Sequence, residues 1–187
     1  IVAIHEGGGK LLGCVLLLGA SAAIPSEWEL LRRAARVASI AVQHRQIEDQ
    51  MMFAAQHDPA TELPNRLLLT ERIEEALLRA NREQVSVAVL VIQLNRFQEI
   101  AESYGHAAGD SLLKLVAQRL SKCVSLPHTV ARLSGGTFAV LWSGVPDRTA
   151  AEDIARSVLK SFKRAFPLAG NTRRMTAAIG VVVYPQD

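Results

Sequence analysis

The sequence predicts an α+β sandwich in which the strands of one sheet alternate with helices. An apolar run over 85–92, rich in valine, is typical of a buried central strand. Two further apolar runs, at 129–133 and 137–142, are joined by Ser134-Gly135-Gly136, and the paired glycines favour a tight β-hairpin. Because helical segments separate these strands, the pattern matches a sandwich of the ferredoxin-like type.

The start of the chain is predicted to form a β-hairpin. Residues 1–5 and 10–18 have the composition of strands, and the glycine-rich stretch 6–10 is a turn. A lone hairpin cannot bury its own apolar surface. We therefore expect residues 1–25 to be the end of a larger sheet domain that starts before residue 1.

One long helix is expected over 26–56, because no Gly or Pro interrupts that stretch. Ser26 and Glu29 have the spacing of a capping box at its start. Apolar residues and one histidine recur along it at alternating spacings of three and four: Val37, Ile40, His44, Ile47, Met51 and Ala54. This spacing suits a coiled-coil seam and a two-fold homodimer, with His44 as its polar member. The alternative is a helix whose apolar stripe packs on its own domain.

The rest of the chain supplies the other layers of the sandwich. Leu112, Leu113, Val116 and Leu120 give one helix an apolar face. The expected elements after residue 66 are helix 67–80, strand 85–94, helices 96–104 and 108–122, the hairpin, helix 148–165, and strands near 166–169 and 174–183.

Composition excludes several classes of protein. The chain has 49% hydrophobic residues, 21% charged residues and a net charge of +3, which is typical of a globular protein. Its basic residues are scattered and its aromatic content is 5%, so a nucleic-acid surface is not expected. The apolar run 11–20 is too short to cross a membrane. Cys14 and Cys123 are interpreted as small buried hydrophobic residues in a reducing compartment, which predicts a cytoplasmic location.

Several motifs occur in the order of one known family. The hairpin carries Arg132-Leu133-Ser134-Gly135-Gly136-Thr137-Phe138, similar to the Arg-Leu-Gly-Gly-Asp-Glu-Phe signature of GGDEF domains. Three further stretches also match that family: His57-Asp58-Pro59-Ala60-Thr61-Glu62-Leu63-Pro64-Asn65-Arg66, then Gln93-Leu94-Asn95-Arg96-Phe97 with Gly105-His106-Ala107-Ala108-Gly109-Asp110, then Thr176-Ala177-Ala178-Ile179-Gly180-Val181. Residues 57–187 thus resemble a GGDEF domain, a family whose active members condense two GTP into cyclic di-GMP.

The resemblance implies a domain organisation. Residues 57–187 would form a sandwich of the GGDEF or nucleotide cyclase type, lacking a C-terminal helix whose Lys and Arg bind triphosphate in the family. Residues 1–25 look like the end of a GAF-like sensor, and 26–56 would be the connecting helix. Degenerate GGDEF domains frequently precede an EAL phosphodiesterase domain, which makes such a domain the expected partner after Asp187.

The resemblance also implies that the catalytic metal site is lost. In active GGDEF domains the metal carboxylates come from positions that match Gln93 and Gly136, and a further acidic residue matches Thr137. An amide and a residue without a side chain cannot replace two negative charges. The backbone carbonyl of Leu94 is then the remaining protein ligand. No catalytic residue and no metal site are therefore predicted in the degenerate signature, Ser134 to Phe138.

Nucleotide contact is expected to be half lost. The family recognises guanine through an Asn that aligns with Ala101 and an Asp that matches Asp110. We assign residual nucleotide contact to Asn95, Asp110 and Gly135. Asp110 is equally well placed to cap a helix over 111–122.

Two further positions carry no clear ligand role. His106, like Asp110, could have either a structural role or a role in ligand contact. The family's inhibitory product site, an Arg-x-x-Asp, aligns with Ser125-Leu126-Pro127-His128, which holds neither charge.

These observations predict a non-catalytic regulatory GGDEF module of a cyclic di-GMP signalling protein. A GTP sensor without turnover, and an active diguanylate cyclase with unconventional ligands, are the alternatives. No cofactor is expected; Mg²⁺ and weakly bound GTP would be present only if nucleotide binding persists. No nucleic-acid partner and no membrane contact are expected.

Overall fold

The computed structural model describes residues 2–5, 11–15, 25–124, 128–168 and 170–187. The chain divides into two compact units, Ile1–Ala55 and Gln56–Asp187. Among the described helices, none has both the length and the apolar character needed to cross a membrane.

The first unit contains a hairpin and most of the long helix. Strands β1 (Val2–His5) and β2 (Leu11–Val15) pair in antiparallel fashion, and helix α1 spans Pro25–Gln56. The predicted turn 6–10 and the end of the second predicted strand, residues 16–18, lie outside the described residues. Cys14 is exposed, so its predicted burial is wrong.

Helix α1 differs from the prediction at its start and confirms its length. It begins at Pro25, because proline fits the first helical position with its fixed φ and no need for an N–H partner. Ser26 therefore lies within the first turn of the helix. The predicted seam side chains are exposed, with Ile40 at 60% and Met51 at 68%.

The second unit is built around a four-stranded antiparallel sheet in the order β4-β5-β3-β8. The first and third of these strands in the chain are central and the second and fourth are edges, which confirms the ferredoxin-like arrangement. Its elements are α2 (Arg66–Glu83), β3 (Ser86–Leu94), α3 (Phe97–Tyr104), α4 (His106–Cys123), β4 (Thr129–Ser134), β5 (Thr137–Val145), α5 (Arg148–Ser161), β6 (Phe166–Leu168), β7 (Asn171–Arg173) and β8 (Ala177–Tyr184).

Helices cover both faces of this sheet. The face formed by Leu90 and Ile92 of β3 packs against α4 and α5, and the predicted apolar face of α4 is fully buried there. The opposite face packs against α2 through Leu69 and Ala76. Part of that face stays open, because Val91 is 42% exposed and Val182 is 56% exposed. The prediction of a buried central strand over 85–92 is therefore confirmed for its position and for one face, whereas its second face is only partly buried.

Helix α5 ends at Ser161, four residues before the predicted end. The guanidinium group of Arg119 donates hydrogen bonds to the main-chain carbonyls of Ser161, Arg164 and Ala165, and it stacks on the Phe166 ring at 3.5 Å. These carbonyls are satisfied by a side chain from α4, so the chain can leave the helix there. A short hairpin of two strands, β6–β7, follows as a separate sheet; the predicted elements did not include β7.

Candidate functional site

The hairpin turn between β4 and β5 is held close to the end of β3. Gly135 has φ of +48°, a left-handed conformation that favours glycine. The carbonyl of Gly136 accepts a hydrogen bond from the N–H of Leu94 at 2.9 Å. A Cβ atom placed on Gly136 would lie 2.8 Å from Cβ of Phe97 and 3.1 Å from Cβ of Leu94. The turn therefore leaves no room for a side chain at Gly136.

Gln93 and Thr137 face each other across β3 and β5 and bind each other. The Thr137 hydroxyl donates a hydrogen bond to Oε1 of Gln93 at 2.6 Å. The amide of Gln93 donates in turn to the carbonyl of Leu94 at 3.3 Å. The groups at this end of β3 are thus neutral and satisfy one another.

These donors do not fit Mg²⁺. Magnesium prefers carboxylate and phosphate oxygens, whereas Gln93, Gly136 and Thr137 contribute no carboxylate. Two acidic residues lie nearby on α3, but Arg96 binds Glu99 and Gln98 donates to Glu102 at 3.2 Å. Within the described ranges, no three His, Cys, Asp or Glu side chains are grouped closely enough to hold a metal ion.

A cleft of about 690 Å³ opens beside these residues, and we call it the hairpin cleft. Its walls include Gln93, Leu94, Phe97, Ala101, His106 and the turn 134–137. Of the residues assigned to nucleotide contact, only Gly135 lines it. Asn95 is turned towards β8, where its side chain donates to the Thr176 hydroxyl at 2.9 Å.

Asp110 lies close to the hairpin cleft without lining it. It follows Gly109, whose backbone packs against Ala101 closely enough that an added Cβ would lie 3.3 Å from the Ala101 side chain. Helix α4 already begins at His106, so Asp110 is in its second turn, and the alternative role as an N-cap is wrong. Its carboxylate is exposed and has no hydrogen-bond or ion-pair partner in the described part of the chain.

The hairpin is anchored by an ion pair that no local sequence pattern predicted. Arg132 donates from Nη1 to both carboxylate oxygens of Asp58 at 2.8 Å, and from Nε and Nη2 to the Gly135 carbonyl. Burial alone would raise the pKa of Asp58, but the hydrogen bonds from Arg132 and Thr61 outweigh it and hold that pKa below its ordinary value. Both residues stand in the motifs, but only the fold shows that they touch.

Of the segment that aligns with the family's product site, the structure describes only His128. Residues 125–127 lie outside the described residues. The His128 ring packs against the Trp142 ring, with centroids 4.8 Å apart and planes tilted by 52°, and burial lowers the pKa of His128. A neutral imidazole supplies no positive charge to a phosphate.

Comparison with protein families places most of the chain in a known family. The family described as diguanylate cyclase, GGDEF domain, matches residues 55–187. Among curated relatives, the chain is 34% identical over 156 residues to the bifunctional diguanylate cyclase/cyclic di-GMP phosphodiesterase MucR of Pseudomonas aeruginosa, covering 83% of this chain and 23% of MucR. It is 38% identical over 133 residues to the diguanylate cyclase TpbB of the same species, covering 71% of this chain and 31% of TpbB. The chain thus spans less than a third of the length of either relative.

Solved structures agree with this family. The isolated GGDEF domain of TpbB superposes with a TM-score of 0.67 at 37% identity, covering 70% of this chain and 76% of that one. A sensory box/GGDEF family protein from Caulobacter crescentus gives 0.66 at 35% identity, covering 71% and 85%. The coiled coil and GGDEF domain of DgcB from the same species, at 20% identity, covers 84% of this chain and 85% of that one with a TM-score of 0.73, which shows a common fold.

Proposed function

Because the chain belongs to the GGDEF family, we propose that its residues 57–187 form a regulatory module that does not synthesise cyclic di-GMP. The observation that carries this proposal is the neutral hydrogen-bond chain from Thr137 through Gln93 to the Leu94 carbonyl. It occupies the edge where the resemblance places the metal ligands, and Gly136 has no space for the second carboxylate.

The physical reason is electrostatic. Phosphoryl transfer depends on metal ions that neutralise charge on the phosphates and position the reacting oxygens. A site with an amide, a hydroxyl and a carbonyl offers a dipositive ion no negative partner. The alternative of an active enzyme with unconventional ligands would have to use Glu102, because Glu99 is already bound by Arg96.

The test is a turnover assay on the purified chain with GTP and either Mg²⁺ or Mn²⁺. We expect no cyclic di-GMP above a control without protein, measured by chromatography of the products. Product that accumulates with time and disappears in the Asp110→Ala variant would refute the proposal.

A second candidate function is GTP sensing without turnover, and the exposed, unpartnered carboxylate of Asp110 beside the hairpin cleft favours it. A carboxylate can accept two hydrogen bonds from a guanine edge. Calorimetric titration should then show weak GTP binding that is nearly independent of Mg²⁺ and is lost in Asp110→Ala. Tight binding that requires Mg²⁺ would contradict this.

The wider protein is also part of the proposal. We infer an EAL phosphodiesterase domain as the output partner and a GAF-like sensor at residues 1–25. In support, relatives include proteins named as bifunctional cyclase/phosphodiesterase and as the cyclic di-GMP phosphodiesterase NbdA, of which this chain covers 23% and 17%. Sequencing the gene on both sides of this segment tests both inferences.

Dimerisation through α1 would let such a module transmit a signal without chemistry. The exposed side chains of Val37, Ile40, Ile47 and Met51 recur on one face of this helix, where pairing with a second chain would bury them. Light scattering should give a dimer for residues 1–187 and a monomer for 57–187. Replacing Ile40 and Ile47 by Lys should dissociate the dimer, whereas Arg33→Lys should not; a monomeric parent chain at tens of micromolar would refute the seam.

A further inference from the structure

A second cleft, of about 500 Å³, lies on the other side of β3 from the hairpin cleft. The hairpin strand β5 and the strand β8 flank β3 on opposite sides, and this cleft opens towards β8. We call it the arginine cleft. Its walls include Asn95, Ser103, Tyr104, Arg173, Arg174 and Thr176. Arg96 and Glu99 line both clefts, so the two clefts meet at the start of α3.

The arginine cleft carries uncompensated positive charge. Arg96 is neutralised by Glu99 at 2.6 Å. Arg173 and Arg174 have no carboxylate within ion-pair distance anywhere in the residues that the structure describes. The other polar groups on the walls are hydroxyls and an amide, so the cleft has a surplus of about two positive charges.

The Arg173 side chain is anchored by its surroundings, and the main chain next to Arg174 is fixed by its neighbours. The Met175 side chain is buried in the core, and the N–H of Asn95 donates to the Thr176 carbonyl at 2.9 Å. The guanidinium carbon of Arg173 lies 5.1 Å from the centre of the Tyr104 ring, and Arg173 donates a hydrogen bond to the Tyr104 hydroxyl. A side chain that is already ordered loses less entropy when it binds a ligand.

We propose that the arginine cleft binds the phosphate chain of a di- or triphosphate without a metal ion. Guanidinium groups bind phosphate oxygens through two parallel hydrogen bonds, which suits adjacent arginines. The hydroxyl groups of Ser103 and Thr176 add neutral donors beside them. This chemistry is shared by a free polyphosphate anion and by the tail of a nucleotide whose base lies in the hairpin cleft. The proposal goes beyond the GTP-sensing alternative, because it requires no base recognition.

The experiment is calorimetry on the full chain in EDTA, with sodium tripolyphosphate, GTP and GMP as separate probes. We expect tripolyphosphate to bind, and to bind more weakly as salt is raised. Arg174→Ala should weaken its binding by about tenfold or more, since a hydrogen bond to a charged group contributes about 1.5–3 kcal/mol. Arg174→Lys should be intermediate, because lysine keeps the charge and loses the planar fork. Arg82→Ala removes an exposed arginine outside both clefts and should change affinity less than twofold.

The titrations with GTP and GMP distinguish a nucleotide tail from a free polyphosphate anion. GTP binding that Arg174→Ala weakens, with GMP binding much more weakly than GTP, identifies the nucleotide tail. Tripolyphosphate binding without GTP binding identifies a free anion and removes the GTP-sensing alternative. GTP binding that Asp110→Ala abolishes but Arg174→Ala leaves unchanged retains that alternative and excludes the nucleotide tail as the ligand of the arginine cleft. Failure of tripolyphosphate to bind, or equal binding to the Arg174→Ala and Arg82→Ala variants, overturns the proposal.

Discussion

Adding a single methyl group at Gly136 should destabilise the domain, and this prediction tests whether the signature turn can still hold a metal ligand. A Cβ at this position would meet the Phe97 side chain at 2.8 and 3.0 Å and the Leu94 side chain at 3.1 Å. The contacts at Phe97 involve Cβ and Cγ, which cannot move without shifting the start of α3. Atoms this close to an added Cβ must shift. Shifting them costs more than moving the far end of a flexible side chain would.

The expected magnitude follows from overpacking. Forcing one extra carbon into a well-packed site typically costs about 1–3 kcal/mol. Gly180→Ala is the matched control, because an added Cβ in this strand meets no atom within 4 Å. The free energy of unfolding of Gly180→Ala should lie within about 0.5 kcal/mol of that of the parent or be slightly higher, since glycine in a strand loses more conformational entropy on folding than alanine does.

The assay is urea unfolding of each variant, followed by circular dichroism. Gly136→Ala should lower the midpoint and Gly180→Ala should not. The same crowding predicts that the double change Gln93→Asp with Gly136→Asp, which restores both carboxylates, produces a less stable protein without cyclase activity. If Gly136→Ala is as stable as the parent, or the double variant makes cyclic di-GMP from GTP, the steric reasoning is wrong.

Three further predictions concern the loop and the ion pair that support the hairpin. Glu62 has φ of +60°, a left-handed conformation that glycine adopts more easily than glutamate. Glu62→Gly should therefore raise the free energy of unfolding by about 0.5–1 kcal/mol, while Glu71→Gly within α2 should lower it by a similar amount. Because the pKa of Asp58 is lower in the folded state than in the unfolded state, its contribution is present above about pH 4 and is lost as the pH falls further; acid titrations of Asp58→Asn should lack that part of the pH dependence. A double-mutant cycle of Asp58→Asn with Arg132→Gln should give a coupling of about 1–3 kcal/mol, and additive effects would show that the pair does not hold the turn.

Elements with strong local signals could be predicted from the sequence. The Ser-Gly-Gly turn, the apolar face of α4 and the uninterrupted α1 all follow from residue pattern, and the structure has each of them. The boundaries that were missed depend on distant contacts. Helix α5 stops at Ser161 because Arg119, some forty residues earlier, satisfies its last carbonyls.

Features of the candidate site also fall into two groups: those that residue identity predicts and those that depend on distant contacts. The absence of a carboxylate at Gln93 and Gly136 is a statement about residue identity, so the sequence alone gives it. The bond between Thr137 and Gln93 and the crowding at Gly136 depend on the register of β3 against β5, which no local pattern specifies. The arginine cleft needed β7 and the anchoring of residue 175, and neither has a sequence signal stronger than two adjacent arginines.

The polar groups at the hairpin form a consistent set of partners, and this argues for a structural role. A metal site without its ion would leave polar groups without partners at the end of β3. Instead, Thr137 and Gln93 pair with each other, and Arg132 still ties the Gly135 carbonyl to Asp58. The turn is therefore held from both sides by interactions that need no metal. A rigid hairpin beside the hairpin cleft is what a module would require if it senses an anion or passes on the state of α1 while making no product.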